Sequence, residues 1–248
     1  NNGSNPDADA YMQDGFGYFI QNDLSTLYID PAYGEWYHDA TAQKLYVYFG
    51  AENPNTKNVK VATKGNLIND ITSDYITINN INFIGCTSTA LSFQPYVCTN
   101  ITINDCSIQY AGLDGISELG EDASVYRNTV QNCNQGGIVF TGDNGRVTYN
   151  TIKNIGLIPG QAYKNGFSTA IRIGSTNAVV NNNYIQNVGY NGISGGTGTS
   201  ASVKYNYIDN VCRTINDGGG IYHGQSNSVT PPGQWIIEYN IILNTYGN

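Results

Sequence analysis

Apolar and polar positions along most of this chain follow one short motif, apolar-x-x-Asn-x-apolar, repeated at a near-constant interval. It reads VYRNTV from Val125, VTYNTI from Val147, VNNNYI from Val180, VKYNYI from Val203 and IEYNII from Ile237. Two degenerate copies, INNINF from Ile78 and INDCSI from Ile103, carry Ile81 and Cys106 where the others have Asn. The anchor column is Ile81, Cys106, Asn128, Asn150, Asn183, Asn206 and Asn240, with spacings of 25, 22, 22, 33, 23 and 34 residues. A supersecondary unit of about 23 residues therefore stacks upon itself. Two of the units carry insertions.

Inside a unit the alternation has period two, as in AVV from Ala178, YIQNV from Tyr184 and GIS from Gly192, broken by turns rich in Asn and Gly. Period two predicts strands, and three of them per unit without a helical stretch predict one triangular coil of a parallel β-solenoid. Each strand pairs with its equivalent in the next coil. Asn at one fixed turn suits this geometry, because stacked side-chain amides can bond to one another, and Asn tolerates a left-handed backbone. The pattern resembles the right-handed parallel β-helix of pectate-lyase-like proteins, whose Asn ladder lies between the second and third strands. The resemblance implies an all-β fold of about seven coils over residues 71–248.

Residues 1–70 lack the period. EWYHD, the polar turn ATAQK and LYVYF read as a β-hairpin, expected to pack on the solenoid or lead into it. The combination GYFIQND, GEWYHDATAQKLYVYF and YITINNINF resembles a stretch of secreted bacterial β-helix proteins, several of them glycoside hydrolases. In such relatives an upstream segment begins the helix, and solenoid ends need caps. Neither is evident, so the chain is expected to be part of a longer polypeptide with further domains.

Composition narrows the partners. Apolar residues at 40% against 12% charged exclude a disordered chain, and 34 Asn, 29 Gly and 20 Tyr favour turns and strands over helices. A net charge of -8 disfavours nucleic acid and, more mildly, acidic polysaccharide. No apolar run is long enough for a membrane span. Five Cys without zinc spacing read as buried free thiols. Walker A, dinucleotide, HExxH and nucleophile-elbow motifs are missing from the sequence in their required contexts.

The strand after the polar turn is the one that, by the resemblance, floors the substrate groove. Its copies are ALSFQ, DGISE, GGIVF, TAIRI, NGIS and GGGIYH, and with Ile inward the outward column reads Ser117, Val139, Arg172, Ser194 and Tyr222. Both insertions, Leu157–Phe167 and Gly224–Gln234, border this strand and could wall the groove.

Asp217, in INDGGGIY, enters the strand with three glycines beside it, and the resemblance implies a catalytic carboxylate there; a turn-capping Asp is the competing reading. Asp114, Glu118, Glu121 and Asp122 place four carboxylates within nine residues. They offer a second catalytic carboxylate, Glu118 first, or oxygen ligands for calcium, or only a solvated turn. The cluster lies about four coils from Asp217, too far at ~4.8 Å per coil for a direct pair, so a subsite or metal role suits it better. Glu238 is another candidate partner of doubtful access.

Arg172, Lys164, Tyr163, Tyr222 and Asp114 are candidates for substrate binding. Tyr190 and Trp235 could stack on sugar rings or fill the core. His223 reads as a satisfied core histidine.

The expected function is a secreted, extracellular bacterial enzyme hydrolysing glycosidic bonds of a polysaccharide or oligosaccharide by carboxylate chemistry. Two alternatives stand beside it. One is a polysaccharide lyase using Arg172, Lys164 and Tyr222, and the other a non-catalytic glycan-binding or structural module.

Overall fold

The computed structural model describes residues 23–25, 27, 35–70, 73–94, 97–159, 161–162, 167–224 and 233–246. Two compact units divide between Lys60 and Val61, about ten residues before the boundary expected from the sequence.

In the first unit, Trp36–Asp39 pairs antiparallel with Lys44–Val47. The turn closes because Asp39 Oδ1 accepts from the amides of Thr41 at 2.9 Å and Ala42 at 2.8 Å, while Gln43 takes a left-handed φ of 53°. This is the hairpin read from EWYHDATAQKLYVYF. A short 3₁₀ turn, Pro54–Thr56, follows it.

The second unit is a solenoid of three parallel sheets, each of seven strands. The first sheet holds Ile68–Asp70, Leu91–Phe93, Ile116–Leu119, Ile138–Phe140, Ile171–Ile173, Ile193–Gly195 and Ile221–His223. The second runs from Thr77–Asn79 to Trp235–Glu238 and the third from Asn82–Cys86 to Ile241–Thr245. Chain order passes through first, second and third sheet in every coil, so each strand meets its equivalent one coil on.

Alternation selects what the tube encloses. Ile116, Ile138, Ile171 and Ile193 of the first sheet, Val125, Val147, Val180 and Val203 of the second, and Ile108, Val130, Ile152, Ile185 and Ile208 of the third are all fully or almost fully buried. They stack in register along the axis. All five cysteines are free and buried, as their spacing implied.

The Asn ladder forms the inner turn between the second and third sheets. Asn128, Asn150, Asn183 and Asn206 each donate from Nδ2 to Oδ1 of the next rung at 2.9–3.1 Å, ending on Asn240. The same Nδ2 atoms also reach back to carbonyls of the second sheet, Ile103, Val125, Val147 and Val180. Cys106 at the degenerate position still donates its amide to Asn128 Oδ1 at 2.9 Å. One expectation is corrected. The left-handed backbone falls on the residue before each rung, Arg127, Tyr149, Asn182, Tyr205 and Tyr239, and not on the ladder Asn itself. Asn occupies the rung for its two-sided hydrogen bonding.

A second ladder lies outside the third sheet, four residues after the first. Asn154 donates to Asn132 and Asn187 to Asn154, each at 3.0 Å, and Asn210 donates to Asn187. These four residues do adopt left-handed φ values, of 54–63°.

Candidate functional site

The outward column of the first sheet is in register as the alternation required. Val139 pairs with Arg172, Arg172 with Ser194, and Ser194 with Tyr222. Ser117, Val139 and Ser194 are nevertheless buried, although none belongs to the core cluster. Arg172 and Tyr222 are therefore the members of this column that stay accessible, Tyr222 with 40% of its surface exposed.

Between Ile116 and Leu119 the register breaks. Ile116 faces Ile138 and Leu119 faces Phe140, so Ser117 and Glu118 together oppose the single Val139. This is a bulge, and Glu118 takes a φ of 63° within it. The extra residue turns a side chain that would otherwise alternate inward out to solvent. Glu118 is exposed, flanked by buried Ser117 and Leu119.

Arg172 gathers the surrounding charge. Its guanidinium lies 3.7 Å from the centre of the Phe167 ring, which buries one face. Burial pulls its pKa below the ordinary value, while the carboxylates of Asp114 and Glu118 act in the opposite direction.

Asp114 lies at the turn entering the same strand as Glu118, and it is buried. Gln135 Nε2 donates to both of its oxygens, at 3.0 and 3.1 Å. Burial raises its pKa, partly offset by Gln135, the Arg172 charge, the Gly136 amide and Ser117. A side chain at Gly136 would meet Asp114 Oδ1 at 2.5 Å, so glycine is needed where the carboxylate seats. Three coils further on, Asn191 holds the equivalent turn and accepts from the Gly219 amide at 2.8 Å.

The acidic cluster therefore does not act as one group. Glu121 and Asp122 fall in the turn after the strand, where Asp122 Oδ1 accepts from Asn144 Nδ2 at 3.1 Å as a rung of a short surface ladder. Among the described residues, no group of three or more His, Cys, Asp and Glu side chains is arranged to hold a metal ion.

Asp217 belongs to a different place. It is exposed at the turn entering Ile221–His223, and its Oδ1 accepts from Tyr190 Oη at 2.7 Å. Burial, then the bond to Asp217 and its charge, push the Tyr190 phenol well above its usual range, so it remains a donor. The Tyr190 ring lies 6.3 Å from that of Tyr222, tilted by 41°. Tyr190 is thus a positioning group for Asp217. Four strand spacings separate Asp217 from the Glu118 coil, roughly 19 Å at ~4.8 Å each. The two cannot serve one glycosidic bond.

Other candidates have structural duties. Trp235 fills the space that Gly195 leaves open, where a side chain would meet the indole at 2.3 Å, and its Nε1 donates to Thr199. His223 occupies the inward column, with its ring 4.8 Å from that of Trp235. Its Nε2 is buried without a hydrogen-bond partner among the described residues, so the expected satisfied histidine is corrected on that point. Glu238 pairs with Lys204 at 2.8 Å on the second sheet, away from the groove. Lys164 and Tyr163 lie outside the described residues, as does most of the second insertion. Gln135, Phe167 and the Tyr190–Asp217 bond escaped the sequence reading. So did the bulge, although ISEL against IVF carries one residue too many and was its signal.

A search of curated proteins and one of solved structures each return no match. A family model does match: the right handed beta helix region covers residues 66–245. That span takes in all three sheets, and the chain belongs to the right-handed β-helix family.

Proposed function

We propose that this protein is a secreted carbohydrate-active enzyme that hydrolyses glycosidic bonds of a polysaccharide lying along its first sheet. The observation that carries the reading is the bulge at Glu118, which turns a carboxylate outward two strands from a half-buried arginine whose charge it feels. A bulge re-aims a side chain, and bulges are over-represented next to active sites. The resemblance to secreted bacterial β-helix glycoside hydrolases supports the same class.

The two carboxyl groups differ in the way such chemistry requires. Burial holds Asp114 towards its neutral form, suiting a general acid that protonates the leaving oxygen. Glu118, exposed and within the field of Arg172 two strands away, is the base that activates water. Asp217, held by Tyr190 and flanked by Tyr222, binds a sugar several residues along the polymer.

The test is hydrolysis of a panel of neutral and uronic-acid polysaccharides by the wild type and three variants. Glu118→Gln and Asp114→Asn are expected to lower kcat about 100- to 10,000-fold. Asp217→Asn raises KM about tenfold with a smaller effect on kcat, because it loses a charged acceptor in binding. Full activity of Glu118→Gln would overturn the assignment. Arg172, a cation set in the groove floor, also favours a lyase acting on a uronate. Products absorbing in the ultraviolet would select that second reading.

A further inference from the structure

At the vertex between the second and third sheets, away from the groove, one turn position repeats along the coils as Asn80, Asp105, Arg127, Tyr149, Asn182, Tyr205 and Tyr239. All seven have left-handed φ, between 55° and 59°. Asn and Asp accept this backbone readily, whereas a tyrosine there is penalised. Asn80 and Asn182 show that asparagine meets the geometric need. Three tyrosines nonetheless occupy the column, and their rings point to solvent: Tyr149 is 63% exposed, Tyr205 54% and Tyr239 71%.

The rings are ordered by the register. Tyr205 stacks on Tyr239 with centroids 5.1 Å apart and planes within 7°. Backbone bonds from Tyr149 to Asn181, Asn182 to Lys204 and Tyr205 to Glu238 keep this turn in step from coil to coil. Tyr149 and Tyr205 are therefore two coils apart, roughly 9.6 Å, with Asn182 between them. The other face of Tyr205 is already covered by Tyr239, so its open face looks across Asn182 towards Tyr149. Asn182 is exposed, and its side-chain amide has no hydrogen-bond partner among the described residues.

We infer that Tyr149, Asn182 and Tyr205 form a slot that binds one pyranose ring of a neutral glycan, separately from the groove. Van der Waals contact at about 3.5–4.0 Å on each face leaves room in such a gap for a puckered ring, and is too wide for close stacking on a flat one. Tyrosine faces supply apolar contact to sugar C–H groups, and the Asn182 amide supplies both a donor and an acceptor for hydroxyls. Flanking charges are already paired, Arg127 with Asp105 at 2.6 Å and Lys204 with Glu238 at 2.8 Å, which selects an uncharged ligand.

Affinity electrophoresis in native gels containing a β-glucan, a xylan or a mannan tests the slot, with Glu118→Gln as the parent so that polymer is not cleaved. The parent is expected to be retarded in at least one gel. On that background Tyr149→Ala, Tyr205→Ala and Asn182→Tyr each weaken retardation at least tenfold, the last by filling the slot with a continuous tyrosine stack. Tyr222→Ala weakens the groove alone, so the losses caused by the three slot variants are expected to persist on a Tyr222→Ala background. Equal retardation of the three slot variants and the parent, or no retardation in any gel, overturns the proposal. Cleavage by the wild type reads the groove independently, so either reading can fail without the other. All three positions are exposed, and circular dichroism of each variant confirms that the fold is intact.

Discussion

Asp114 is a carboxyl group placed where the same fold elsewhere uses an amide. Its counterpart Asn191 accepts one backbone amide without carrying charge, while Asp114 needs Gln135, Gly136 and the Arg172 charge to offset burial. The offset is incomplete, since its pKa stays above the ordinary 3.8. The folded state therefore holds a proton that the unfolded chain has released, and stability falls as pH rises from about 3.8 through the folded value. Above that value the loss is constant. Asp114→Asn removes the dependence, because Asn can still accept from the Gly136 amide. Thermal melts should place this variant level with the wild type near pH 4 and above it at pH 7. A variant less stable than the wild type at pH 7 would mean that the partners of Asp114 outweigh its burial. With the proposed role as general acid, kcat of the same variant falls about 100- to 10,000-fold, a trade of activity against stability.

The two Asn ladders look alike in sequence and differ in energetic weight. Asn183 is 2% exposed, and its Oδ1 accepts from both Asn150 N and Asn150 Nδ2 while its own Nδ2 serves the Val147 carbonyl. Asn183→Ala leaves these buried groups unpaired, at about 1–3 kcal/mol each. Asn187, on the outer ladder, is half-buried, water can replace its partners and glycine accepts its left-handed φ of 57°, so Asn187→Gly should cost about 1 kcal/mol or less. Urea unfolding of the two variants measures the contrast; equal losses would mean that both ladders are structural in the same degree. The inner ladder was legible because a rung must recur at a fixed place in every coil. The outer one was equally present in QNC, KNI, QNV and DNV, but Asn on a solvent-facing strand position is ordinary polar surface and does not single itself out.

Along the whole solenoid each coil touches its neighbours alone, so local stability follows how many neighbours a strand has. Trp235–Glu238 and Ile241–Thr245 are paired on one side, and Ile237 and Ile242, which take inward positions, are 49% and 43% exposed. Their counterparts one coil earlier, Val203 and Ile208, are fully buried. In the 248-residue chain taken by itself, amide hydrogen exchange should accordingly be slower in central strands such as Thr129–Cys133 and Thr151–Ile155 than in these two. Uniform protection would show that coils open together. At this scale the sequence by itself determined the architecture: coil length, strand alternation, the buried columns, the free thiols and the inner ladder all repeat locally, so each coil states the rule again. Only the tertiary structure assembled the candidate site. Asp114 feels the Arg172 charge across 58 positions of sequence and Tyr190 bonds to Asp217 across 27, and such pairings depend on insertions, on one bulge and on which coil lies over which. A periodic pattern carries the average coil, whereas the proposed site lies where single coils depart from it.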